Sequence, residues 1–342
     1  MSTPQNLTDT TPEEALELYL RERSTEVTDS TLQAHEYRLS HFVRWCNEVS
    51  EVANMNNLTG RDLHRYKLWR KEDGELNKVS LKSQMDTLRV FVRFCESIDA
   101  VESDIHSKVM SPTLSDGIGQ RDVKLDPEEA EQLLNYLNRF EYASLAHTLV
   151  LLLWRTGLRL GGVRALDVDD LDTDNEHIAV RHRPDTGTRL KNKQNGQRLV
   201  ALNPTTCTVI EDYIRANRPD VTDEHGRKPL LATDNGRPIK NTLRITIYRW
   251  TRPCMYQNSC PHGRNQDDCE ALSKREWASK CPSSVSPHAI RRGSITHHLT
   301  QDVPEPVVSD RMNVSQRVLD KHYDRRTEEV KVEQRREYLD DV

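Results

Sequence analysis

Residues 144–159 read SLAHTLVLLLWRTGLR, and this stretch decides the architecture. From Ser144 to Arg155 the side chains are apolar nearly all round a helix, the pattern of a helix enclosed on every side rather than lying on a surface. Its length suits a protein core and falls well short of the roughly 20 apolar residues that span a bilayer. Gly157 is placed to stop it, because glycine accepts the left-handed conformation in which many helices end. A helix of this kind needs other elements around it, and the flanking sequence supplies them. On the N-terminal side, Asp126-Pro127-Glu128-Glu129 carries a cap-and-proline helix start. On the C-terminal side, Glu176 to His182 and Arg198 to Leu202 read as two short strands around a polar turn containing Asn195-Gly196. Helical patterns then centre on 206–216, 241–252, 288–299, 304–312 and 315–326.

Further toward the N-terminus, four amphipathic helices are predicted with no strand signal between them. Thr11, Pro12 and Glu14 start the first over residues 8–24, with Leu16, Tyr19 and Leu20 as its apolar stripe. The second runs from about Asp29 to Val49, with Leu32, Leu39, Val43 and Cys46 on one face. Thr59 and Asp62 cap a third, and Ser80 to Ile98 forms the fourth, with Leu81, Leu88, Val92 and Cys95 inward. Residues 106–124 are rich in Ser, Gly and Pro without a hydrophobic period and read as a linker. The expected organisation is a helical domain over 1–105, a linker over 106–124 and a second domain over 125–342. The class is mostly α with one small antiparallel sheet.

The 342 residues contain 49 Lys plus Arg against 54 Asp plus Glu, a net charge of −5. A protein that grips phosphates usually carries a basic excess, but the sum conceals patches. Residues 61–93 hold nine basic and five acidic groups, and 181–198 hold six basic and one acidic. The N-terminus shows neither the basic nor the apolar region of a signal peptide, and no apolar run is long enough for a membrane span. A soluble cytoplasmic protein is expected. Cys46, Cys95 and Cys207 stand alone in apolar segments and read as inert core thiols.

Four features of the second domain bear on chemistry. Arg159 follows the buried helix in Thr156-Gly157-Leu158-Arg159, where a guanidinium can be held rigidly against a phosphate. Lys191 and Lys193 lie near the turn of the basic hairpin, and a lysine there can protonate a leaving oxygen. His288 and Arg291, three apart, share one helix face. Tyr323 is a usable nucleophile where neighbouring cations favour its phenolate. Each has an ordinary reading alone: a helix-end arginine, a solvated hairpin tip, a surface helix pair, a packed tyrosine. Their order and spacing, with Tyr323 32 residues after Arg291, resemble the tyrosine recombinase or phage integrase family, and the overall form is similar to XerC/XerD-like site-specific recombinases of the archaeal or archaeal-virus type. The stretch RRGSITHHL resembles that family's RHTFATHLL, and His297 to Tyr323 needs no gap against its pattern.

The resemblance implies a helical, SAM-like core-binding domain followed by a catalytic domain that together clamp duplex DNA. It also implies a reaction without metal or nucleotide. Tyr323 would attack a phosphodiester and form a 3′-phosphotyrosine, Arg159 and Arg291 would stabilise the phosphorane, His288 would donate a hydrogen bond or shuttle a proton, and Lys191, or alternatively Lys193, would protonate the 5′-oxygen. A homotetramer on specific DNA sites that integrates or excises a mobile element is the implied assembly. A type IB topoisomerase and a catalytically inactive zinc-containing DNA-binding module are the other readings. The chain departs from the family pattern at two positions. Gly162 stands where an acidic residue commonly orients the first arginine, so that support must come from elsewhere. Val314 stands where His or Trp is usual, so its role is absent or falls to a neighbour such as Asn313 or His322.

Cys254, Cys260, Cys269 and Cys281 lie within 28 residues, in an insert over 254–281 just before His288. Four soft ligands suit a structural zinc site better than disulfides. The gaps of five, eight and eleven residues are wider than a zinc knuckle's, and His262 is an alternative fourth ligand.

Overall fold

The computed structural model describes residues 7–50, 52–115, 123–257, 259–301, 303–323, 332, 333 and 336; the side chains of 321 and 322 fall outside the described set. Two compact units divide the chain, residues 1–121 and 122–342, and the division falls inside the predicted linker.

The first unit is built from α1 (Pro12–Arg23), α2 (Asp29–Trp45), α3 (Gly60–Asp73) and α4 (Lys78–Ser97). Both predicted caps form. Thr11 accepts from the Glu14 N–H while the Glu14 carboxylate takes the Thr11 N–H, and Thr59 and Asp62 do the same for α3. These pairs satisfy amide groups that a helix start otherwise leaves open. The core holds Tyr19, Phe42, Trp45, Tyr66 and Phe91, with Phe42 edge-on to Tyr66 at 5.2 Å between ring centres. Burying an aromatic of this size contributes roughly 1.5–3 kcal/mol against an extended reference chain. The inward face of α2 differs from expectation: Leu39, Phe42, Trp45 and Cys46 are buried, whereas Leu32 and Val43 are only half-buried. Two large rings won that face over smaller aliphatic side chains. A π turn over Cys46–Ser50 continues the winding. Part of the predicted linker also folds, because Ile105 and Val109, at the two sides of a 3₁₀ turn (Ile105–Lys108), are buried in this core. Arg89 fastens the segment by donating to the carbonyl of Val109 and the hydroxyl of Ser111.

The second unit is arranged around α6 (Leu145–Thr156), the helix of the opening stretch. Its residues from Ala146 to Trp154 are all buried, and its neighbours are α5 (Pro127–Phe140), α7 (Leu160–Ala165), α8 (Pro204–Asp212), α9 (Lys240–Trp250) and α12 (Pro287–Thr300), the last preceded by two short turns, α10 (Pro253–Tyr256) and α11 (Glu270–Ser273). The antiparallel sheet has the order β1 (Leu171–Asp172), β2 (His177–Val180), β3 (Arg198–Ala201), with Ile178 opposite Val200. The first strand adds to the two expected ones and is only two residues long, too short to show an alternating pattern. Glycine is required at two positions that shape the site. Gly157 ends α6 at φ +58° and would bring a Cβ to 2.6 Å from the Met312 sulfur. At Gly293 a Cβ would lie 2.0 Å from the Leu125 carbonyl oxygen, so only hydrogen lets α12 dock there. A smaller core of Ile295, Leu299, Val308, Met312, Val314, Leu319 and Tyr323 joins α12 to α13 (Glu305–Met312) and α14 (Gln316–His322).

Six carboxylates fall between Asp167 and Glu176, and some of them are internal. Asp167 pairs with Arg183, Arg227 and Arg237, and Asp170 with Arg183. A fully desolvated carboxylate needs such partners, and Arg183 is thereby withdrawn from the basic hairpin. Among the described residues no helix is long and apolar enough to cross a membrane.

Candidate active site

Arg159, Arg198 and Arg291 converge on the end of α13. Arg291 is 2% exposed and donates to the carbonyls of Gly157 and, at 2.8 Å, Met312. Arg159 donates to the Asn313 carbonyl at 3.1 Å, and Arg198 donates to the Arg311 carbonyl at 2.7 Å and the Gly196 carbonyl at 2.8 Å. Residues 311, 312 and 313 thus offer three successive carbonyls to three guanidinium groups. The local sequence explains why they are free. Asn313 adopts the left-handed conformation at φ +49°, and its own amide and that of Val314 turn back to the carbonyls of Asp310 and Ser309. The last carbonyls of a helix have no intrahelical partner and carry the negative end of its dipole. They orient cations without neutralising them. Among the described residues no carboxylate pairs with Arg159, Arg198 or Arg291.

Burial, and then repulsion from Arg159, push Arg291 down to about 10, and the Tyr323 phenol hydrogen-bonded to it acts in the opposite direction. Burial followed by Arg159 also brings Arg198 to about 10. Burial lowers Arg159 in the same sense. All three stay cationic at neutral pH; Asp310 acts on Arg198 without pairing with it, and three half-desolvated cations with no paired carboxylate among the described residues form a site for an anion. Tyr323 is buried, packed with Val308, Leu319 and Met312, and the guanidinium of Arg292 lies over its ring at 5.9 Å.

His288 is exposed at the start of α12, where Pro287 occupies the first turn and Ser286 caps it. Desolvation, followed by the charges of Arg291, Arg292, Arg159 and Lys191, lowers its pKa. Lys191 is therefore part of this electrostatic neighbourhood. Both lysines are exposed, and Lys193 begins a 3₁₀ turn (Lys193–Gly196) at φ +51°. The predicted hairpin is thus a long connection with structured turns rather than a tight one.

A family model described as the phage integrase family matches residues 124–329. The chain belongs to the phage integrase family. A second model, the N-terminal SAM-like domain of phage integrases, matches residues 16–97. Over 206 residues the chain is 23% identical to Tyrosine recombinase XerD of Listeria monocytogenes, covering 60% of this chain and 63% of that protein, so the match spans less than two thirds of that recombinase. It is 25% identical over 238 residues to Tyrosine recombinase XerC of Lactobacillus delbrueckii subsp. bulgaricus, covering 68% of this chain and 74% of that protein. In fold it is similar to the Tn1549 transposon integrase in complex with a circular intermediate DNA, with a TM-score of 0.67 at 17% identity over 95% of this chain and 99% of that one. A lambda integrase dimer bound to a COC' core site gives 0.65 at 11% identity over 94% and 79%.

The two departures from the integrase pattern have structural consequences. Gly162 faces only Leu158, 3.6 Å from where a Cβ would sit, and the Asn313 carbonyl holds Arg159 instead of an acid. Val314 is buried in the small core with its carbonyl bound by Ser309, so it addresses no ligand. The Asn313 amide is committed to Asn192 and Asn195, and the side chain of His322 lies outside the described residues. Sequence reasoning missed Arg198 and Arg292 as members of the cluster. In the sequence Arg198 registers only as hairpin charge, and the doublet Arg291-Arg292 is the available signal for the other.

In the insert, burial and then the thiols of Cys281, Cys260 and Cys269, the charge of Arg252 acting oppositely, raise the Cys254 pKa. The four thiols share one neighbourhood, and all are free. Among the described residues, however, no group of three or more His, Cys, Asp or Glu side chains has an arrangement that could hold a metal ion.

Proposed function

We propose that the chain is a site-specific DNA recombinase that cuts and rejoins duplex DNA through a 3′-phosphotyrosine, in the service of integrating or excising a mobile element. The observation that carries this reading is the arginine cluster, held by main-chain carbonyls so that its charge remains available, with Tyr323 hydrogen-bonded into it. Arg159, Arg198 and Arg291 hold the scissile phosphate and stabilise the charge that develops on its oxygens. The Tyr323 oxygen forms a bond to phosphorus while the bond to the 5′-oxygen breaks. His288, whose pKa desolvation and then the surrounding cations lower, takes the phenol proton, and Lys191 gives one to the leaving oxygen. The ester retains the bond energy, so a 5′-hydroxyl from another strand reverses the step and reseals the DNA. Exchange requires several protomers on paired sites, and a homotetramer is the assembly proposed.

A site-independent type IB topoisomerase uses the same chemistry, so the decisive property is sequence preference. Trapping covalent adducts on a library of random-sequence duplexes containing nicks, then sequencing the trapped ends, should return one recurring motif. Ends without sequence preference would favour relaxation over recombination.

A structural zinc ion held by Cys254, Cys260, Cys269 and Cys281 is proposed on the number and softness of the thiols and their shared neighbourhood. The ion would have to draw them together. Elemental analysis should find about one zinc per chain; protein without zinc that keeps its melting temperature in chelator would remove the site.

A further inference from the structure

Lys191, Asn192 and Asn195 are exposed, on a connection that by itself gives a general acid no fixed position. Two hydrogen bonds fasten this segment at one point. Asn192 Nδ2 donates to Asn313 Oδ1 at 2.5 Å, and Asn313 Nδ2 donates to the Asn195 carbonyl at 2.9 Å. The donor to a main-chain carbonyl fixes which end of the amide is nitrogen. The same residue's carbonyl accepts Arg159. Asn313 therefore touches the phosphate-binding arginine through its backbone and the lysine segment through its side chain.

Its conformation makes this double contact possible. At φ +49° and ψ 62°, asparagine is tolerated where a β-branched residue is not, and the turn directs its amide across to the 192–195 segment. The Asn313 amide nitrogen packs against Gly196, 3.5 Å from where a Cβ would sit. Next to the clamp, Arg198 bridges the Gly196 and Arg311 carbonyls and so closes the far side of the turn.

We propose that Asn313 is a positioning residue that clamps the segment bearing Lys191 onto the end of α13, and so sets the lysine's reach to the leaving 5′-oxygen. This rests on the reading of Lys191 as the general acid. The clamp joins the acid to the same element that orients the arginines, so one rigid helix end holds both.

Asn313→Gly removes the amide while keeping the left-handed backbone and the carbonyl for Arg159. Asn192→Ala removes one partner from the other side, on an exposed position where folding is not at stake. The substrates are two duplexes bearing the motif recovered by trapping, one natural and one with sulfur replacing the bridging 5′-oxygen at the cut. A thiolate departs without a proton, so the second substrate needs no general acid. Both variants should cleave the natural duplex about ten- to a hundredfold more slowly than wild type, the range for a displaced catalytic group. Both should cleave the sulfur duplex at the wild-type rate, with unchanged DNA affinity and melting temperature. Equal slowing on both duplexes, or none on either, would overturn the clamp. Lys191→Ala serves as the reference: if sulfur fails to rescue it, the assignment of the acid is wrong and the clamp falls with it, whereas rescue of Lys191→Ala alone refutes only the clamp.

Discussion

His288 shows how the site tunes a single residue. Desolvation, and then the charges of Arg291, Arg292, Arg159 and Lys191, disfavour its protonation, which adds a charge to an already positive cluster. The native pKa lies below the usual value of about 6.5, and the proton goes on less readily than in the unfolded chain. The associated stability is present above about pH 6.5 and is lost as pH falls through the lowered native value. A bound phosphate cancels part of the repulsion and should raise the pKa. NMR titration of the imidazole is expected to give a midpoint below about 6.5 in the free protein and an upward shift with DNA. A free-protein midpoint at or above that ordinary value would contradict the crowding of cations. Arg159, His288, Arg291 and Tyr323 are legible in the sequence because they are conspicuous side chains at a recognisable spacing. Arg198 is visible there only as charge. The carbonyls of residues 311–313 give no signal, since every residue has a carbonyl and only tertiary structure says where it points.

At the scale of elements, the docking of α12 governs the site, because that helix carries His288 and Arg291 while packing on α6. Gly293 sets the distance. Its absent Cβ leaves room for the Leu125 carbonyl at 2.0 Å and the Trp154 ring at 3.0 Å from where it would sit. The Leu125 oxygen belongs to a backbone that also donates to the Ala289 carbonyl, so it does not yield easily. Gly293→Ala should cost about 3 kcal/mol or more, at the upper end of overpacking effects, read as a lowered denaturant midpoint with an unchanged slope. A destabilisation below about 0.5 kcal/mol, the size of an ordinary surface change, would show that this close approach is not limiting. The sequence makes α6 and its glycine stop plain, because an all-round apolar stretch ended by glycine has one economical reading. It is less informative about α2, where the half-buried Leu32 and Val43 fit the period as well as the rings of Phe42 and Trp45 do. Nor does it reveal the fold of residues 105–109, because a single 3₁₀ turn is too short to display a period.

For the molecule as a whole, the net charge of −5 says little about DNA once the partners of the charged groups are known. In the 61–93 segment, Arg70 is buried on Gln84 and Asp73 and Arg89 holds Val109 and Ser111, so neither is free for phosphate. Arg61, Arg65 and Lys71 are exposed on α3. Replacing those three with Gln should flatten the slope of log affinity against log salt by roughly one unit for each phosphate that these side chains neutralise, without changing the melting temperature. Arg70→Gln should lower the melting temperature instead. An unchanged slope in the triple variant would exclude this face of the first unit from the DNA interface.

The central claim is that Tyr323 attacks a phosphate held by the three arginines. The most direct measurement uses a nicked suicide duplex carrying the trapped motif, followed by digestion of the covalent adduct and mass spectrometry of the peptide that bears the nucleotide. Wild-type protein should yield a single modified peptide with the DNA 3′-phosphate on Tyr323, and Tyr323→Phe should yield none. An adduct on another residue, or undiminished adduct from Tyr323→Phe, would contradict it.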